Sequence, residues 1–259
     1  TLNNIYENGL TCGVDDLTYD NSLKSKYPFL HYNEAIFSPS TGIFDSHSFI
    51  HSLSRDFQSL GGNILLGNET LNIEQSSKGY EVLIQDKNTE NQFVVIANVL
   101  VNSAGLNAVH IAGLINEGNN YQEEFVKGEY YIYQGKERLE NLIYPTPSEN
   151  SLGLHATIDL GSGIRFGPSA YVVDEIDYSL SSHQKSHFLS AVQSYWPNIK
   201  AEDLTPGYSG IRPKLKGVKD FVVDSGTVSD KQYVNVLGYA SPGLTSSLAL
   251  GIEVSNLIE

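Results

Sequence analysis

The stretch VLVNSAGLNAV, residues 99–109, passes from apolar, β-branched residues to small residues and then to a helical pattern. Residues 99–101 predict a buried strand that breaks at Gly105, and a helix is expected from about Asn107. The stretch therefore predicts a strand–turn–helix unit, and the rest of the chain is arranged on either side of it.

A helix and a meander are expected before this unit. Residues 45–62 have helix signals at both ends, because Asp45 or Ser46 can cap the first turn and glycines 61 and 62 can end the last. The apolar residues between them recur at helical spacing and predict one apolar stripe: Phe49, Ile50, Leu53, Phe57 and Leu60. Four apolar-rich runs separated by turn residues then predict short antiparallel strands: residues 63–67, 70–75, 80–85 and 92–97.

A second block, beginning near Gln122, alternates strand-like runs with glycine and proline turns. Its strands are expected at residues 128–133, 141–144, 153–158 and 163–166. Four further elements complete the chain: a helix at 181–196, strands at 221–224 and 233–237, and a last helix from Ser241 to Ile258. Since no linker is long enough to separate independent domains, the two blocks are expected to share an interface.

Composition argues against several classes of protein. The chain has 259 residues, of which 30 are acidic and 16 basic, and nucleic-acid binding needs a clustered basic surface. No apolar run approaches the ~20 residues that cross a bilayer, so no transmembrane segment is expected. Cys12 is the only cysteine, which allows no disulfide and indicates an intracellular protein. The chain also has no Met, even at position 1, and is expected to be processed, trimmed or part of a longer gene product.

Two motifs are interpreted as structural. GSGIRFG, residues 161–167, resembles a phosphate-binding turn, but its last glycine is one position late and the following residues alternate as in a strand. A hairpin turn is therefore predicted. The pairs His47/His51 and His183/His187 place two imidazoles on one helix face, but no third ligand accompanies either pair. Surface histidines and no metal are expected.

Arg212 and His155 are the candidate chemical residues. Arg212 lies between glycines and a proline in GYSGIRPK, residues 207–214, where a guanidinium can clamp a carboxylate or pair with an acidic residue at the surface. His155 lies in the middle of a predicted strand among small and apolar residues. A neutral core histidine and a proton-accepting base are both compatible with that position.

Eight segments, taken in order, resemble the D-amino-acid-oxidase-type flavoproteins. The resemblance is greatest to those members that oxidise L-2-hydroxyglutarate. The segments are IFSPSTGI (36–43), VNSAGL (101–106), KGEYY (127–131), LIYPTP (142–147), LGLHAT (152–157), IRFGP (164–168), GIRP (210–213) and SPGLTSSLA (241–249). The resemblance implies an α+β (α/β) fold with an FAD-binding domain of the glutathione-reductase/D-amino-acid-oxidase type. That domain is interleaved in sequence with a substrate domain built on an antiparallel sheet.

The resemblance also implies where each domain lies and which residues bind the cofactor. Residues 1–35 and 122–206 are expected to form the substrate domain, and residues 36–121 and 207–259 a partial FAD-binding domain. Ser103, Ala104 and Gly105 are expected to form the turn that passes close to FAD. The helix start near the pyrimidine edge of the flavin is expected from Ser241, Pro242, Gly243, Leu244 and Thr245.

For the substrate, the resemblance implies that Arg212 faces a carboxylate and that His155 accepts the hydroxyl proton. Lys127 and Tyr130 are candidate contacts for a second carboxylate, although Lys127 stands where the family pattern has arginine. The glycine-rich loop that binds the ADP half of FAD is absent from the printed chain, so weak or no FAD retention is expected.

Three functions follow as hypotheses. The first is an FAD-dependent oxidoreductase that converts the 2-hydroxy acid L-2-hydroxyglutarate to 2-oxoglutarate. The second is an amine or amino-acid oxidase of the same fold, since Arg212 suits any α-carboxylate. The third is a noncatalytic remnant that acts as a binding module. The resemblance implies a mitochondrial location in a eukaryote and a cytoplasmic one otherwise.

Overall fold

The computed structural model describes residues 1–20, 22–116, 118–146, 153–181, 183–228 and 230–258. Pro147 and Leu152, at the ends of two of the segments quoted above, lie outside the described residues. The chain forms two compact units. The first comprises Thr1–Ile50, Lys127–Tyr171 and Asp177–Gly210, and the second His51–Val126, Val172–Ile176 and Ile211–Glu259. Their roles as substrate and FAD-binding domains stay a prediction.

The α-helices are α1 (Leu2–Thr11), α2 (Leu23–Lys26), α3 (Ser46–Ser59), α4 (Ala108–Ile115), α5 (Gln184–Gln193) and α6 (Gly243–Asn256). Short 3₁₀ helices lie at Gly105–Asn107 and Ala201–Asp203. The first strands are β1 (Thr18–Tyr19), β2 (Ile36–Phe37), β3 (Asn68–Ser76), β4 (Gly79–Asp86), β5 (Gln92–Ala97) and β6 (Val99–Asn102). The remaining strands are β7 (Glu123–Tyr133), β8 (His155–Ile158), β9 (Ile164–Gly167), β10 (Tyr171–Val173), β11 (Leu204–Leu215), β12 (Val222–Val228) and β13 (Lys231–Leu237).

The first unit is built on the sheet that the second block predicts. Its strands lie in the order β10-β7-β9-β8, and β11 also pairs with β7. β8 and β9 form an antiparallel hairpin in which the Asp159 N–H donates to the Gly163 carbonyl at 3.0 Å, so the predicted hairpin turn is confirmed. The core of this unit contains Phe166, Phe188 and Trp196, which are fully or almost fully buried.

The second unit contains the strand–turn–helix unit of residues 99–109. β6 pairs in parallel with β13, which pairs antiparallel with β12, and the 3₁₀ turn and α4 follow β6 as predicted. β3, β4 and β5 form the expected antiparallel meander. Ala108, Ala112 and Ile115 of α4 are buried in the cores of this unit.

Some expectations from the sequence are wrong. Residues 63–67 form no strand, because no neighbouring strand pairs with them and Gly67, with φ of +71°, turns the chain into β3. Residues 141–144 contribute only an isolated bridge between Ile143 and Ala156. α1 and the long strand β11 were not predicted.

Many apolar side chains of the described residues are exposed on α3, β5 and α6. Asp45 caps α3 as predicted, since the Ser48 N–H donates to its carboxylate at 3.0 Å. The apolar stripe that follows is largely open to solvent, and Leu60 is 88% exposed. The other exposed apolar residues of these elements are Ile50, Leu53, Phe57, Phe93, Val94, Val95, Ile96, Leu244, Leu248 and Ile252. No helix in the described ranges combines the length and the apolar character that crossing a membrane requires.

Candidate functional site

The first unit's sheet has one face packed in the core and one open face, and β9 shows the alternation clearly. Ile164 and Phe166 are 2% and 0% exposed in the core, so Arg165 between them points to the opposite face. On β8, Ala156 lies in the core, and its neighbour His155 therefore points to the same face as Arg165.

The pairing register places Tyr130 on this face as well. His155 pairs with Gly167, and Ile132 of β7 pairs with Arg165. Continuing that antiparallel register puts Tyr130 opposite Gly167, and its ring lies against that glycine. His155 and Tyr130 are therefore two strands apart, or about 10 Å, with the Tyr130 ring filling the space above Gly167.

Gly167 is a position where a side chain cannot be accommodated. Its φ is +144°, and a Cβ would lie 2.7 Å from the Tyr130 ring and 2.8 Å from the Glu129 carbonyl oxygen. We expect Gly167→Ala to lower the free energy of unfolding in urea by about 2 kcal/mol, through overpacking and backbone strain. Gly113→Ala is the matched control, because a Cβ there meets nothing within 4 Å and alanine favours the helix. Equal stability of the two variants would contradict this account.

Aromatic rings lie on this face of the sheet in two groups. The rings of Tyr144 and His155 have centroids 4.1 Å apart. Tyr130 and Tyr208 stack with centroids 4.6 Å apart and planes tilted by 14°, and the guanidinium carbon of Arg165 lies 5.5 Å from the Tyr208 ring centroid. These five residues, Tyr130, Tyr144, His155, Arg165 and Tyr208, are called the open sheet face below. They combine an imidazole, a permanent cation and three phenols on one surface.

Lys127 lies on the other face of β7 from Tyr130, because the two are an odd number of residues apart. Its ammonium is buried and already has two partners: it donates to the Ser179 carbonyl at 2.5 Å and pairs with the Asp177 carboxylate at 3.3 Å. The Ser179 hydroxyl and N–H, together with that ammonium, lower the pKa of Asp177 to about 2. The predicted contact between Lys127 and a substrate carboxylate stays a prediction.

Glu129 extends this arrangement on the same side of β7. It is fully buried, and one carboxylate oxygen accepts from the Tyr171 hydroxyl at 3.0 Å and from the Ser181 N–H at 2.8 Å. Burial, with the adjacent Glu129 carboxylate, raises the pKa of Tyr171 to about 12. Lys127 and Glu129 therefore attach residues 177–181 to β7, behind the open sheet face.

In the second unit, small residues follow β6 as the sequence predicts. The buried Asn102 fixes the turn: its amide donates to the Ala108 carbonyl at 2.7 Å and to the Asn235 side chain at 2.9 Å, and its oxygen accepts from the Ala104 N–H. Ser103, Ala104 and Gly105 are exposed, and Gly105 has φ of +60° with nothing within 4 Å of its Cβ position. A flat ligand can therefore approach this backbone closely.

The start of α6 offers backbone donors. Ser241 and Pro242 lead into Gly243, which is buried against the Tyr239 ring, and Leu244 and Thr245 complete the first turn. The first N–H groups of a helix have no acceptor within the helix, and they form its positive end. Small exposed residues after β6 and the donors at this helix start leave room for a flat, electron-rich ring, and the assignment of both segments to FAD stays a prediction.

Two pockets of the second unit lie next to these segments. One is lined by Gly105 and the other by Ser241. Both are also lined by Lys214, Leu215 and Gly238. The two predicted cofactor segments therefore border neighbouring cavities within one unit.

Arg212 lies in the second unit and His155 in the first. Arg212 is half-buried on β11, and its guanidinium makes no hydrogen bond or ion pair with any residue that the structure describes. This differs from Arg165, whose Nη2 donates to the Asp159 carboxylate at 2.8 Å. A half-buried guanidinium without a protein partner is available to an anionic ligand.

Sequence reasoning did not name Arg165 and Tyr208 as site residues. The signal for Arg165 was present, because it stands between two apolar residues in a predicted strand. No local sequence pattern indicates that Tyr208 stacks on Tyr130. Over the described ranges, no three His, Cys, Asp or Glu side chains are grouped closely enough to hold a metal ion.

Comparison with known proteins places this geometry in context. Residues 4–257 match the family described as DAO, FAD dependent oxidoreductase. The mitochondrial L-2-hydroxyglutarate dehydrogenase of Arabidopsis thaliana is 32% identical over 275 residues, which cover 88% of this chain and 57% of that enzyme. The L-2-hydroxyglutarate dehydrogenase of Indibacter alkaliphilus is 28% identical, over 96% of this chain and 72% of that enzyme. The chain thus spans little more than half the length of the plant relative.

A solved structure has the same fold. The L-alpha-glycerophosphate oxidase of Mycoplasma pneumoniae, with FAD bound, superposes with a TM-score of 0.83 at 20% identity. The superposition covers 99% of this chain and 68% of that one. The α+β fold expected from the sequence is therefore confirmed.

Proposed function

Because the chain belongs to the DAO family of FAD-dependent oxidoreductases, we propose that it takes part in oxidising L-2-hydroxyglutarate to 2-oxoglutarate. Two relatives at 28–32% identity carry the name of that activity. The observation that carries the proposal is Arg212, a half-buried guanidinium with no partner among the described residues. Bound FAD supplies the acceptor for the hydride that leaves C2 of the hydroxy acid.

We assign Arg212 to the carboxylate next to the reacting carbon. Its fork can hold both carboxylate oxygens, which fixes the orientation of the C2–H bond. Pro213, directly after Arg212, restricts the backbone that carries the guanidinium, because the residue before a proline is confined to extended conformations. This residue therefore binds and orients, and it transfers no proton.

We assign His155 to the hydroxyl group. As hydride leaves C2, the hydroxyl proton must go to an acceptor, and the imidazole on the open sheet face can take it. The Tyr144 ring, 4.1 Å away, limits the orientations of that imidazole. Tyr130 is proposed as a further substrate contact on the same face.

We assign the cofactor contacts to the two segments that fit a flavin. Ser103, Ala104 and Gly105 would lie against the ring system, where small residues allow close approach. The first turn of α6, residues 241–245, would donate backbone N–H groups to the edge where negative charge develops on reduction.

A substrate panel tests the proposal on protein to which FAD has been added until one flavin per chain is bound. We expect L-2-hydroxyglutarate to bleach the flavin absorbance anaerobically and to give one equivalent of 2-oxoglutarate, while glycine and L-proline give neither. D-2-hydroxyglutarate is the matched control, because it has the same charges and places the C2 hydrogen on the other side. Turnover of amino acids without turnover of the hydroxy acid would show instead an amino-acid oxidase of this fold.

A further inference from the structure

We propose that Arg165 binds the distal anionic group of the substrate, and so selects dicarboxylic over monocarboxylic 2-hydroxy acids. This inference rests on the proposed function and deepens it, because L-2-hydroxyglutarate carries a second carboxylate. Within the open sheet face, Arg165 is the residue with a permanent positive charge.

The position of Arg165 relative to His155 suits a ligand that reaches both. His155 pairs with Gly167, and Arg165 lies two residues from that glycine on the same strand. Such diagonal neighbours on one face are about 7–8 Å apart at the backbone. A substrate whose hydroxyl lies at the imidazole therefore has its far end within reach of the long arginine side chain.

The guanidinium is held in place without being saturated. Among the described residues only Asp159 accepts from it, through one of its five donors, and its carbon lies 5.5 Å from the Tyr208 ring centroid. Tyr208 in turn stacks on Tyr130. A guanidinium near an aromatic ring keeps donors on its edge for a carboxylate.

Asp159 does not neutralise this cation strongly. The Asp159 and Arg165 side chains are 32% and 37% exposed, and an ion pair this accessible to water is weak. The hairpin turn is held without the pair, since Asp159 also accepts from the N–H groups of Gly161 and Gly163 at 2.9 and 2.8 Å. The bond from the Gly163 N–H lowers the pKa of Asp159 most, followed by the Arg165 charge and the bond from the Gly161 N–H. Arg165 is therefore not needed to form the turn.

The test compares two acids with the same carbon chain on the flavin-loaded enzyme. L-2-hydroxyglutarate has the distal carboxylate, and L-2-hydroxypentanoate has a methyl group in its place. We expect Arg165→Gln to raise KM for the dicarboxylate by about tenfold to a hundredfold, and to leave KM for the monocarboxylate within about twofold. Arg165→Lys should recover part of the loss, because it restores the charge but not the fork.

Asp159→Asn is the matched second variant. It keeps an oxygen that accepts from the glycine N–H groups and removes the competing negative charge. We expect it to lower KM for the dicarboxylate or leave it unchanged, the opposite of Arg165→Gln. If the pair only stabilised the hairpin, both variants would shift both acids in the same direction, and the proposal would be overturned.

Failure of this proposal can be told apart from failure of the proposed function. If the wild-type protein holds one FAD per chain and oxidises neither acid, the proposed function is wrong. Calorimetric titration of glutarate and pentanoate into wild-type and Arg165→Gln protein then tests whether Arg165 binds the distal carboxylate, independently of turnover. Loss of glutarate binding in the variant supports the anion site, and equal binding of glutarate by both proteins overturns it.

Discussion

Arg212→Ala is expected to raise KM for L-2-hydroxyglutarate by about a hundredfold or more, with a smaller change in kcat. Each charge-assisted hydrogen bond contributes about 1.5–3 kcal/mol, and the guanidinium fork can form two with the carboxylate. Arg212→Lys should raise KM for L-2-hydroxyglutarate by about tenfold, because an ammonium keeps the charge without the paired geometry. Steady-state kinetics of the flavin-loaded enzyme measure both effects.

Lys216→Ala is the control for charge in this experiment. It removes one cation from an exposed position just after β11, four residues from Arg212. Its KM should stay close to that of the wild type. If Arg212→Ala behaves like Lys216→Ala, Arg212 has no part in binding the carboxylate, and the observation that carries the proposed function is lost.

His155→Asn is expected to reduce kcat by about a hundredfold to ten-thousandfold while KM changes little. Asparagine keeps polarity at this position but cannot accept the hydroxyl proton, and positioned general bases contribute factors of this size. The rate of anaerobic flavin reduction at saturating substrate measures the loss directly. His187→Asn is the control, because this histidine is exposed on α5 of the same unit. A kcat near the wild-type value in His155→Asn would assign the proton to another group.

Local sequence patterns predicted the elements that depend on local chemistry. The change from β-branched residues to small residues at Gly105 marks the end of β6, and Asp45 marks the start of α3. β11 was missed because Pro206, Gly207 and Gly210 favour turns. Within the part of the chain that the structure describes, β7 is its one partner strand, and a strand with a free edge tolerates a proline that lacks an N–H.

The partners of the site residues depend on contacts between distant parts of the chain. Lys127 pairs with Asp177, fifty residues later in the chain, and Tyr130 stacks on Tyr208, which lies still farther along. No periodicity in the sequence encodes either pairing. Alternation did specify the face of Arg165, but only the register of β9 against β8 shows that it neighbours His155.

The exposed apolar side chains of α3, β5 and α6 bear on how the purified protein should be handled. Electrostatic repulsion between molecules with a net charge of −14 opposes their association, and added salt weakens that repulsion. Sulfate also strengthens the attraction between apolar surfaces. Dilute buffers well above the isoelectric point should therefore keep the preparation dispersed, whereas ammonium sulfate should precipitate it at low concentrations of the salt.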